Sequence, residues 1–291
     1  MKQLVILSGK GGTGKTTIAG AFIKLSKAKA YADCDVDAPN LHLTNAWSTE
    51  PEKADYYGLP KAFINPKICI ACDQCRKHCR FGAISFDNHY KVDPYACEGC
   101  GVCEYLCPVG AITLVPAVDG ELMLYADGEK VFSTARLNMG SGTSGMLVTE
   151  VKKRMQSRSE EAEMAIIDGS PGIGCPVIAS LSGVDMVLVV AEPSVSGISD
   201  MERIIHTAAN FGIKIAVCVN KYDTNIDLAK KIEHFCKEQG LRFVGRLPFD
   251  ANAVRAMNDG KTIVDIDCIA GTSVREIYQW TMKMLYEEGD S

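Results

Sequence analysis

Eight of the 13 cysteines fall in two copies of one spacing, C-x2-C-x2-C-x3-C, and the second copy begins 28 residues after the first. Three closely spaced thiolates suit one face of a cubane iron–sulfur cluster, and the fourth thiolate ligates the other cluster. The spacing therefore predicts two [4Fe–4S] clusters per chain. The predicted ligands are Cys69, Cys72, Cys75 and Cys107 for the first cluster, and Cys79, Cys97, Cys100 and Cys103 for the second.

Structural zinc is the alternative reading of these thiols, but zinc sites favour paired CxxC knuckles with longer gaps. Residues 63–115 instead resemble a bacterial two-[4Fe–4S] ferredoxin. In the ferredoxin pattern a proline follows the fourth cysteine; Pro108 follows Cys107, whereas Arg80 follows Cys79. Because proline is not a ligand, the expectation of two clusters stands, and the extra positive charge is expected to affect only the cluster potential.

A glycine-rich stretch, SGKGGTGKTT at 8–17, has the spacing of a phosphate-binding loop. It follows an apolar run at 4–7 and opens a helical pattern, as such a loop requires. Backbone N–H groups there hold phosphate, Lys15 reaches the β- and γ-phosphates, and Thr16 binds Mg²⁺. The predicted nucleotide-binding residues of the loop are Gly9, Lys10, Gly11, Gly12, Thr13, Gly14, Lys15, Thr16 and Thr17.

The additional lysine of this loop, Lys10, makes it similar to the deviant Walker A motif of the MinD/ParA/Mrp superfamily, which includes the nitrogenase iron protein. That resemblance implies a homodimer in which Lys10 of one subunit contacts the nucleotide of the other. It also implies an ATPase with Lys10 and Lys15 among its catalytic residues.

The stretch DCDVDAPNL at 33–41 resembles the switch I segment of the same superfamily. The resemblance implies that Asp35 orients the attacking water as a catalytic residue and that Asp33 supports the outer shell of Mg²⁺. Asp37 competes for either role. Phosphoryl transfer depends on placement and charge neutralisation, which suits carboxylates at these positions.

The stretch DGSPGIGCPV at 168–177 resembles switch II. The resemblance implies that Asp168 is linked to Mg²⁺ and that Pro171 and Gly172 begin the loop that senses the γ-phosphate. In the nitrogenase iron protein a cysteine seven residues beyond the switch II aspartate helps to hold a dimer-bridging cluster, and Cys175 has that spacing. The comparable earlier stretch, NMGSGTSG at 138–145, has no cysteine, so a dimer offers two thiolates for a bridging metal. A purely structural cysteine is the alternative.

The stretch CVNKYD at 218–223 admits two nucleotides. Asn220, Lys221 and Asp223 match the N-K-x-D guanine signature, whereas the resemblance implies that Asn220 contacts adenine. It further implies base-edge contacts from Pro248 and Asp250. We favour ATP, because Lys10 belongs to the ATP-using lineage.

Short β-rich runs alternate with amphipathic helical patterns through most of the chain, which predicts a doubly wound, mostly parallel sheet. One helix is expected to start at Ser199 with a capping box to Glu202. The fold class is thus an α/β P-loop NTPase, residues 1–62 and 116–291, interrupted by a ferredoxin-like domain at 63–115. The predicted buried strands are 4–7, 165–167, 186–190, 215–219 and 243–245.

The composition of the 291 residues narrows the class of protein. A net charge of −5 argues against a nucleic-acid surface, and neither a membrane-spanning run nor a cleavable leader is evident. We therefore expect a cytoplasmic protein that binds neither nucleic acid nor membranes, in which clustered thiols do metal or redox work. Four further cysteines are expected to be buried small hydrophobes: Cys34, Cys218, Cys236 and Cys268.

Nearly the whole chain resembles the MinD-superfamily ATPases that contain an inserted ferredoxin domain. The leading hypothesis is a homodimeric ATPase that couples nucleotide state to metal-cluster assembly or carriage, with electrons supplied through two [4Fe–4S] clusters. An ATP-gated reductase is the alternative; either version implies a protein electron donor or a metal-cluster acceptor. A positioning ATPase is a third reading, disfavoured by the acidic end of the C-terminal segment. The fourth hypothesis is a plain ferredoxin whose nucleotide-binding fold is inactive.

Overall fold

The computed structural model describes residues 1–44, 47 and 49–287. In that part of the chain the strands, in order, are β1 (Lys2–Leu7), β2 (Ala30–Asp33), β3 (Glu52–Tyr57), β4 (Lys61–Ile64), β5 (Ile84–Asp87), β6 (His89–Val92), β7 (Ile112–Val115), β8 (Val118–Asp127), β9 (Lys130–Leu137), β10 (Met164–Asp168), β11 (Met186–Ala191), β12 (Lys214–Val219) and β13 (Arg242–Arg246). The helices are α1 (Lys15–Ser26), α2 (Gln74–Lys77), α3 (Val102–Tyr105), α4 (Ser144–Ser157), α5 (Cys175–Leu181), α6 (Val195–Ala209), α7 (Ile226–Glu238), α8 (Ala251–Asn258) and α9 (Ile269–Tyr286).

Nine of the described strands form one sheet, in the order β13-β12-β11-β1-β10-β2-β9-β8-β3. The pairs from β13 through to β9 are parallel, while β8 pairs antiparallel with both β9 and β3. The chain runs from β1 to β2 on one side and from β10 to β11 on the other, so the strand order reverses at β1. Ligands of open α/β sheets bind beyond the carboxyl ends of the strands at such a reversal, which is where the loop after β1 lies.

Both faces of the sheet are covered by helices. Along β1, Val5 and Leu7 belong to the core on one face, whereas Leu4 and Ile6 belong to the core on the other, and all four are fully buried. A strand buried on both faces is a continuous apolar run rather than an alternating one. The rigid centre of the sheet therefore fixes the positions in space of the strand ends.

A cluster of aromatic side chains packs on the sheet beside β2 and β9. The ring of Phe132, which is fully buried, stacks on Tyr31 at 5.0 Å between centroids and on Tyr125 at 5.4 Å. Trp47 lies 6.1 Å from Phe132. Such pairs add to the burial of large apolar area, so this cluster anchors the antiparallel edge to the parallel part of the sheet.

The cysteine-rich segment, residues 61–115, leaves the large sheet between β3 and β8 and forms two small antiparallel pairs, β4 with β7 and β5 with β6. It has a separate apolar core that includes Ile64, Ile84 and Ile112. The 28-residue sequence repeat appears in its elements: adding 28 converts β4 into β6, α2 into α3 and β5 into β7.

The two halves of this segment exchange strands. The Asn65 amide donates to the Ala111 carbonyl at 2.8 Å, and the Asp93 amide donates to the Ala83 carbonyl at the same distance. Each residue of one pair lies 28 positions from a residue of the other pair. In the first pair the first half donates, and in the second pair the second half donates. The two halves are therefore related by a pseudo-twofold axis. Left-handed backbone recurs at matched positions as well: Ala71 with Gly99, Asp73 with Gly101, and Gly82 with Gly110.

The α/β fold with its mostly parallel sheet agrees with the prediction, and the five expected strands are β1, β10, β11, β12 and β13. The predicted start of α6 is wrong. The helix begins at Val195, because the Ser194 hydroxyl, not that of Ser199, accepts the Gly197 amide at 3.0 Å.

Among the described residues, none of the helices is both long enough and apolar enough to cross a membrane.

The Phe132→Ala substitution is expected to lower the free energy of unfolding by about 3–5 kcal/mol, since it removes a fully buried ring from a four-ring cluster. Denaturant unfolding followed by near-UV circular dichroism measures this loss. Phe211→Ala, at an exposed position, is the control and should cost about 0.5 kcal/mol or less. Equal losses in the two variants would contradict the role of the cluster.

Candidate functional site

The loop between β1 and α1 is closed by glycines that no other residue could replace easily. Gly12 and Gly14 have φ values of 77° and 93°, in the left-handed region. A Cβ at Gly14 would lie only 2.1 Å from the Asn220 side-chain nitrogen. The Thr13 hydroxyl donates to the Lys10 carbonyl at 2.9 Å, which closes the turn. The loop therefore directs its backbone amides toward the start of α1.

The first residues of α1 meet the end of β10. Lys15 forms a buried ion pair with Asp168, and the Thr16 hydroxyl donates to the other Asp168 oxygen at 2.6 Å. Burial opposes the charge on Lys15, but the carboxylates of Asp168 and Asp33 outweigh it and raise the lysine pKa. Lys15 is therefore a permanent cation at the position where phosphate charge is expected. The hydroxyl of Thr17 turns elsewhere, to the sulfur of Met257 at 2.8 Å.

The three acids of 33–37 lie in different surroundings. Asp33 is fully buried and accepts the amides of Asp35, Asn40 and Leu41 at 2.9–3.0 Å. Burial, and after it the nearby Asp168 carboxylate, raises the pKa of Asp33 to about 7. Burial likewise raises the pKa of the half-buried Asp35, whereas Asp37 is exposed. Asp33 thus organises the turn, and Asp35 borders the site.

The segment from Asp168 to Cys175 is bonded to the phosphate loop. The Gly172 amide donates to the Ser8 carbonyl at 3.0 Å, and the Ser170 hydroxyl donates to the Cys34 carbonyl. Cys175 is exposed and is the first residue of α5. A Cβ at Gly145 would lie 3.0 Å from the Cys175 Cβ, so Cys175 packs on the start of α4.

The Lys10 side chain forms an ion pair and hydrogen bonds within its own chain. Its ammonium lies 3.2 Å from Glu192 and donates to the hydroxyls of Ser194 and Ser196 at 3.2 and 3.3 Å. Glu192 was not predicted from the sequence. It lies directly after β11, and only the structure shows that β11 is the strand beside the one that carries the phosphate loop.

Most of the residues predicted to contact the nucleobase form hydrogen bonds within the protein. The side-chain nitrogen of Asn220 donates to the Thr13 carbonyl at 2.7 Å, and the Lys221 ammonium donates to the Gly12 carbonyl at 2.9 Å. Asp223 accepts the Phe249 amide at 2.7 Å. Asp250 caps α8 by accepting an amide at 2.9 Å, and Pro248 is half-buried beside it. Asn220 and Lys221 therefore join the end of β12 to the phosphate loop.

The eight clustered cysteines line two pockets, four to a pocket. One pocket is otherwise mainly apolar; its thiols are those of Cys69, Cys72, Cys75 and Cys107. The thiols of the other pocket are those of Cys79, Cys97, Cys100 and Cys103. The described residues include no group of three or more Cys, His, Asp or Glu arranged to hold a single metal ion. Each set matches one predicted ligand set, with the fourth thiol supplied by the other half of the segment.

The remaining cysteines do not form a further cluster in the described chain. Cys34, Cys218 and Cys236 are fully buried, as predicted, and burial raises the pKa of each thiol. Cys268 is only partly buried and caps α9, where its sulfur accepts the Gly271 amide at 3.2 Å.

The chain matches the family described as "CobQ/CobB/MinD/ParA nucleotide binding domain" over residues 4–263. It is 31% identical over 281 residues to an uncharacterized protein of Methanocaldococcus jannaschii, with 95% of each chain covered. An iron-sulfur cluster carrier protein of that organism is 24% identical and covers 94% of this chain and 82% of its own. The septum site-determining protein MinD of Pyrococcus horikoshii, solved with Mg-ADP, has a TM-score of 0.60 at 15% identity, covering 100% and 99%.

The Lys15→Ala substitution is expected to reduce ATP turnover at least about 100-fold, because the buried cation that would stabilise phosphate charge is lost. Phosphate release measures the rate, and circular dichroism checks that the variant is folded. Lys230→Ala, on the exposed face of α7, should turn over ATP at the wild-type rate. A folded Lys15→Ala variant with unchanged turnover would contradict the assignment.

Proposed function

Because this chain belongs to the CobQ/CobB/MinD/ParA family of P-loop ATPases, we propose that it works as a homodimer that couples its nucleotide state to metal-cluster assembly or carriage. In this proposal residues 63–115 are a ferredoxin-like insert that supplies electrons. The observation that carries the proposal is the grouping of eight thiols into two apolar pockets of four.

The donor set fits iron–sulfur clusters better than structural zinc. Each pocket combines three thiols of one half of the segment with the fourth thiol of the other half, which is the arrangement expected of two-cluster ferredoxins. Cys69, Cys72, Cys75 and Cys107 would hold one cluster, and Cys79, Cys97, Cys100 and Cys103 the other. When bound, such clusters supply one-electron transfer.

At the ATPase site the chain's own residues neutralise and orient phosphate. Lys15 would exchange its Asp168 partner for the β- and γ-phosphates, and Asp35 would orient the attacking water. Thr16, Asp168 and Asp33 would support Mg²⁺, and Asn220, Pro248 and Asp250 would border the adenine. The exchange would transfer Asp168 from Lys15 to Mg²⁺, and so would alter the start of the segment that ends at Cys175.

A continuous series of contacts supports coupling between this site and the cysteine-rich segment. Cys175 packs against Gly145, at the end of the stretch 138–145. Earlier in that stretch, Cβ atoms at Gly140 and Gly142 would lie 3.5 Å from the Tyr95 ring and from a Glu98 carboxylate oxygen. Tyr95 and Glu98 flank Cys97, so a movement of Cys175 has a direct path to one thiol pocket.

The surface around Cys175 supports a homodimer. Ile173, Ile178 and Met146 are all exposed there, although large apolar side chains are normally covered. In a closed dimer, Lys10 would leave Glu192 for the nucleotide of the partner, and two Cys175 thiols would face each other across the axis. Soft thiolates at that position would suit a transient metal or a sulfide-rich cluster.

Two other functions have support of their own. The exposure of Cys72 and Cys100 at the pockets favours electron delivery to a partner protein, which is the ATP-gated reductase. The likeness to MinD supports a positioning ATPase. The similarity to an iron-sulfur cluster carrier protein supports a carrier to the same extent. Positioning by a membrane-binding tail is disfavoured, because Ile277 and Leu285 of α9 are buried in the core rather than free.

Anaerobically purified protein is expected to contain ~8 iron and ~8 sulfide per chain in its two thiol pockets. Colorimetric iron and sulfide assays, with and without ATP, measure the content. Cys72→Ser should lower both counts, whereas Cys236→Ser, which changes a buried thiol outside the pockets, should not. Zinc in place of iron, or equal counts in all variants, would contradict the insert assignment.

The same assay tests Cys175. A dimer-bridging metal predicts additional metal in the wild type with ATP that is missing from Cys175→Ser. Identical metal content in these two proteins would show that Cys175 is structural, and would leave the two pockets unaffected.

A non-hydrolysable ATP analogue is expected to lower deuterium uptake both in 138–145 and around Cys97, because the two segments are in contact. Hydrogen–deuterium exchange measures this effect. Tyr95→Ala should remove the change around Cys97 but keep the change at the phosphate loop. Tyr105→Ala, which removes a ring that is 89% exposed, is the matched control. If deuterium uptake around Cys97 in the wild type does not change with nucleotide, the coupling is contradicted.

A further inference from the structure

The two halves of the cysteine-rich segment carry opposite charge. The first half, residues 61–88, contains five Lys or Arg and two Asp or Glu, a net charge of +3. The second half, residues 89–115, contains three Asp or Glu and one Lys, a net charge of −2. The halves share one fold and one cysteine spacing, so this difference is not required by the architecture.

The charges of the first half are largely presented to solvent. Lys67, Arg76, Lys77 and Arg80 all have exposed side chains. Asp73 is neutralised locally, since it accepts two hydrogen bonds from Arg76 at 2.7 and 2.8 Å and one from Tyr90 at 2.7 Å. The positive charge left at the surface therefore comes mainly from the lysines and Arg80.

Apolar side chains accompany this positive charge. Ile70 is 60% exposed although it lines the pocket of Cys69, Cys72, Cys75 and Cys107, and Cys72 itself is exposed. Ile68 and Phe86 of the same half are exposed as well. An apolar centre with a charged rim is the usual anatomy of a protein-binding surface.

The second half faces the ATPase body instead. Its Tyr95 and Glu98 contact the stretch 138–145, and a Cβ at Gly99 would lie 2.2 Å from the Pro60 carbonyl. The pocket that contains Cys97 is therefore proximal to the ATPase body, and the pocket that contains Cys72 is beside the basic surface.

We propose that the surface formed by Lys67, Ile68, Ile70 and Lys77 around Cys72 is the docking site of an acidic one-electron carrier protein. The inference rests on the proposed function, because the carrier is useful only if the pockets hold clusters. The carrier loses one electron and this chain gains one, with no covalent bond made or broken. Positive charge at the rim accelerates encounter with an acidic partner, and the exposed isoleucines supply the contact.

Binding to a purified acidic flavodoxin tests the inference. The wild type should bind it with a dissociation constant that rises with ionic strength. The double variant Lys67→Glu/Lys77→Glu should bind at least about tenfold more weakly at low salt. The control Lys230→Glu/Lys237→Glu changes net charge equally on the exposed side of α7 and should bind like the wild type. Arg76 is left intact because it holds Asp73.

Two results would overturn the inference: unchanged binding in the Lys67/Lys77 variant, or equal weakening in the α7 control. Iron content and reduction by methyl viologen, measured on the same preparations, keep the two proposals separate. Iron-replete protein that methyl viologen reduces, but that binds flavodoxin without dependence on the two lysines, contradicts only the docking surface. Preparations that contain no iron contradict the proposed function itself.

Discussion

The buried ion pair between Lys15 and Asp168 is the interaction on which the rest of the structure depends. It joins the phosphate loop at the end of β1 to the segment after β10, and Thr16 strengthens the link through a second hydrogen bond. Loss of one partner from a buried pair of this kind costs about 3–5 kcal/mol, because the other charge is left without compensation. A ligand that offers phosphate to Lys15 therefore has a strong competitor to displace. In the proposed function, this displacement transfers Asp168 from Lys15 to Mg²⁺ and so connects nucleotide binding to movement.

The movement has a defined direction because the surrounding structure is rigid. The central parallel strands, such as β1 and β11, are buried on both faces, so movement is expected in the loops at their carboxyl ends. The segment after Asp168 leads to Cys175, Cys175 packs on Gly145, and the stretch 138–145 contacts Tyr95 and Glu98 beside Cys97. The halves of the cysteine-rich segment exchange strands through Asn65 and Asp93, so a displacement at one pocket is felt by both. In the proposed function, this series of contacts transmits nucleotide state.

Local spacing made much of this predictable. The cysteine repeat and the phosphate loop are short-range patterns, and the apolar runs predicted five strands of the large sheet. What escaped prediction depends on contacts distant in sequence. Glu192 lies 182 positions after Lys10 in the chain, and only the sheet order brings them to 3.2 Å. Ser199 and Ser194 carry the same capping chemistry, and tertiary packing selects Ser194. The hairpin of β8 and β9 was missed because the insert interrupts the strand rhythm that precedes it. Asp223, which matches a guanine signature, is occupied by the Phe249 amide.

In the proposed function, the nucleotide at the phosphate loop controls the cysteine-rich segment. A potentiometric titration of the anaerobic protein, followed by electron paramagnetic resonance, tests this control when it is run in parallel with a non-hydrolysable ATP analogue and with ADP. The midpoint potential of the cluster held by Cys79, Cys97, Cys100 and Cys103 is expected to differ between the two nucleotide states, while that of the other cluster changes less. Identical potentials for both clusters with either nucleotide would contradict it.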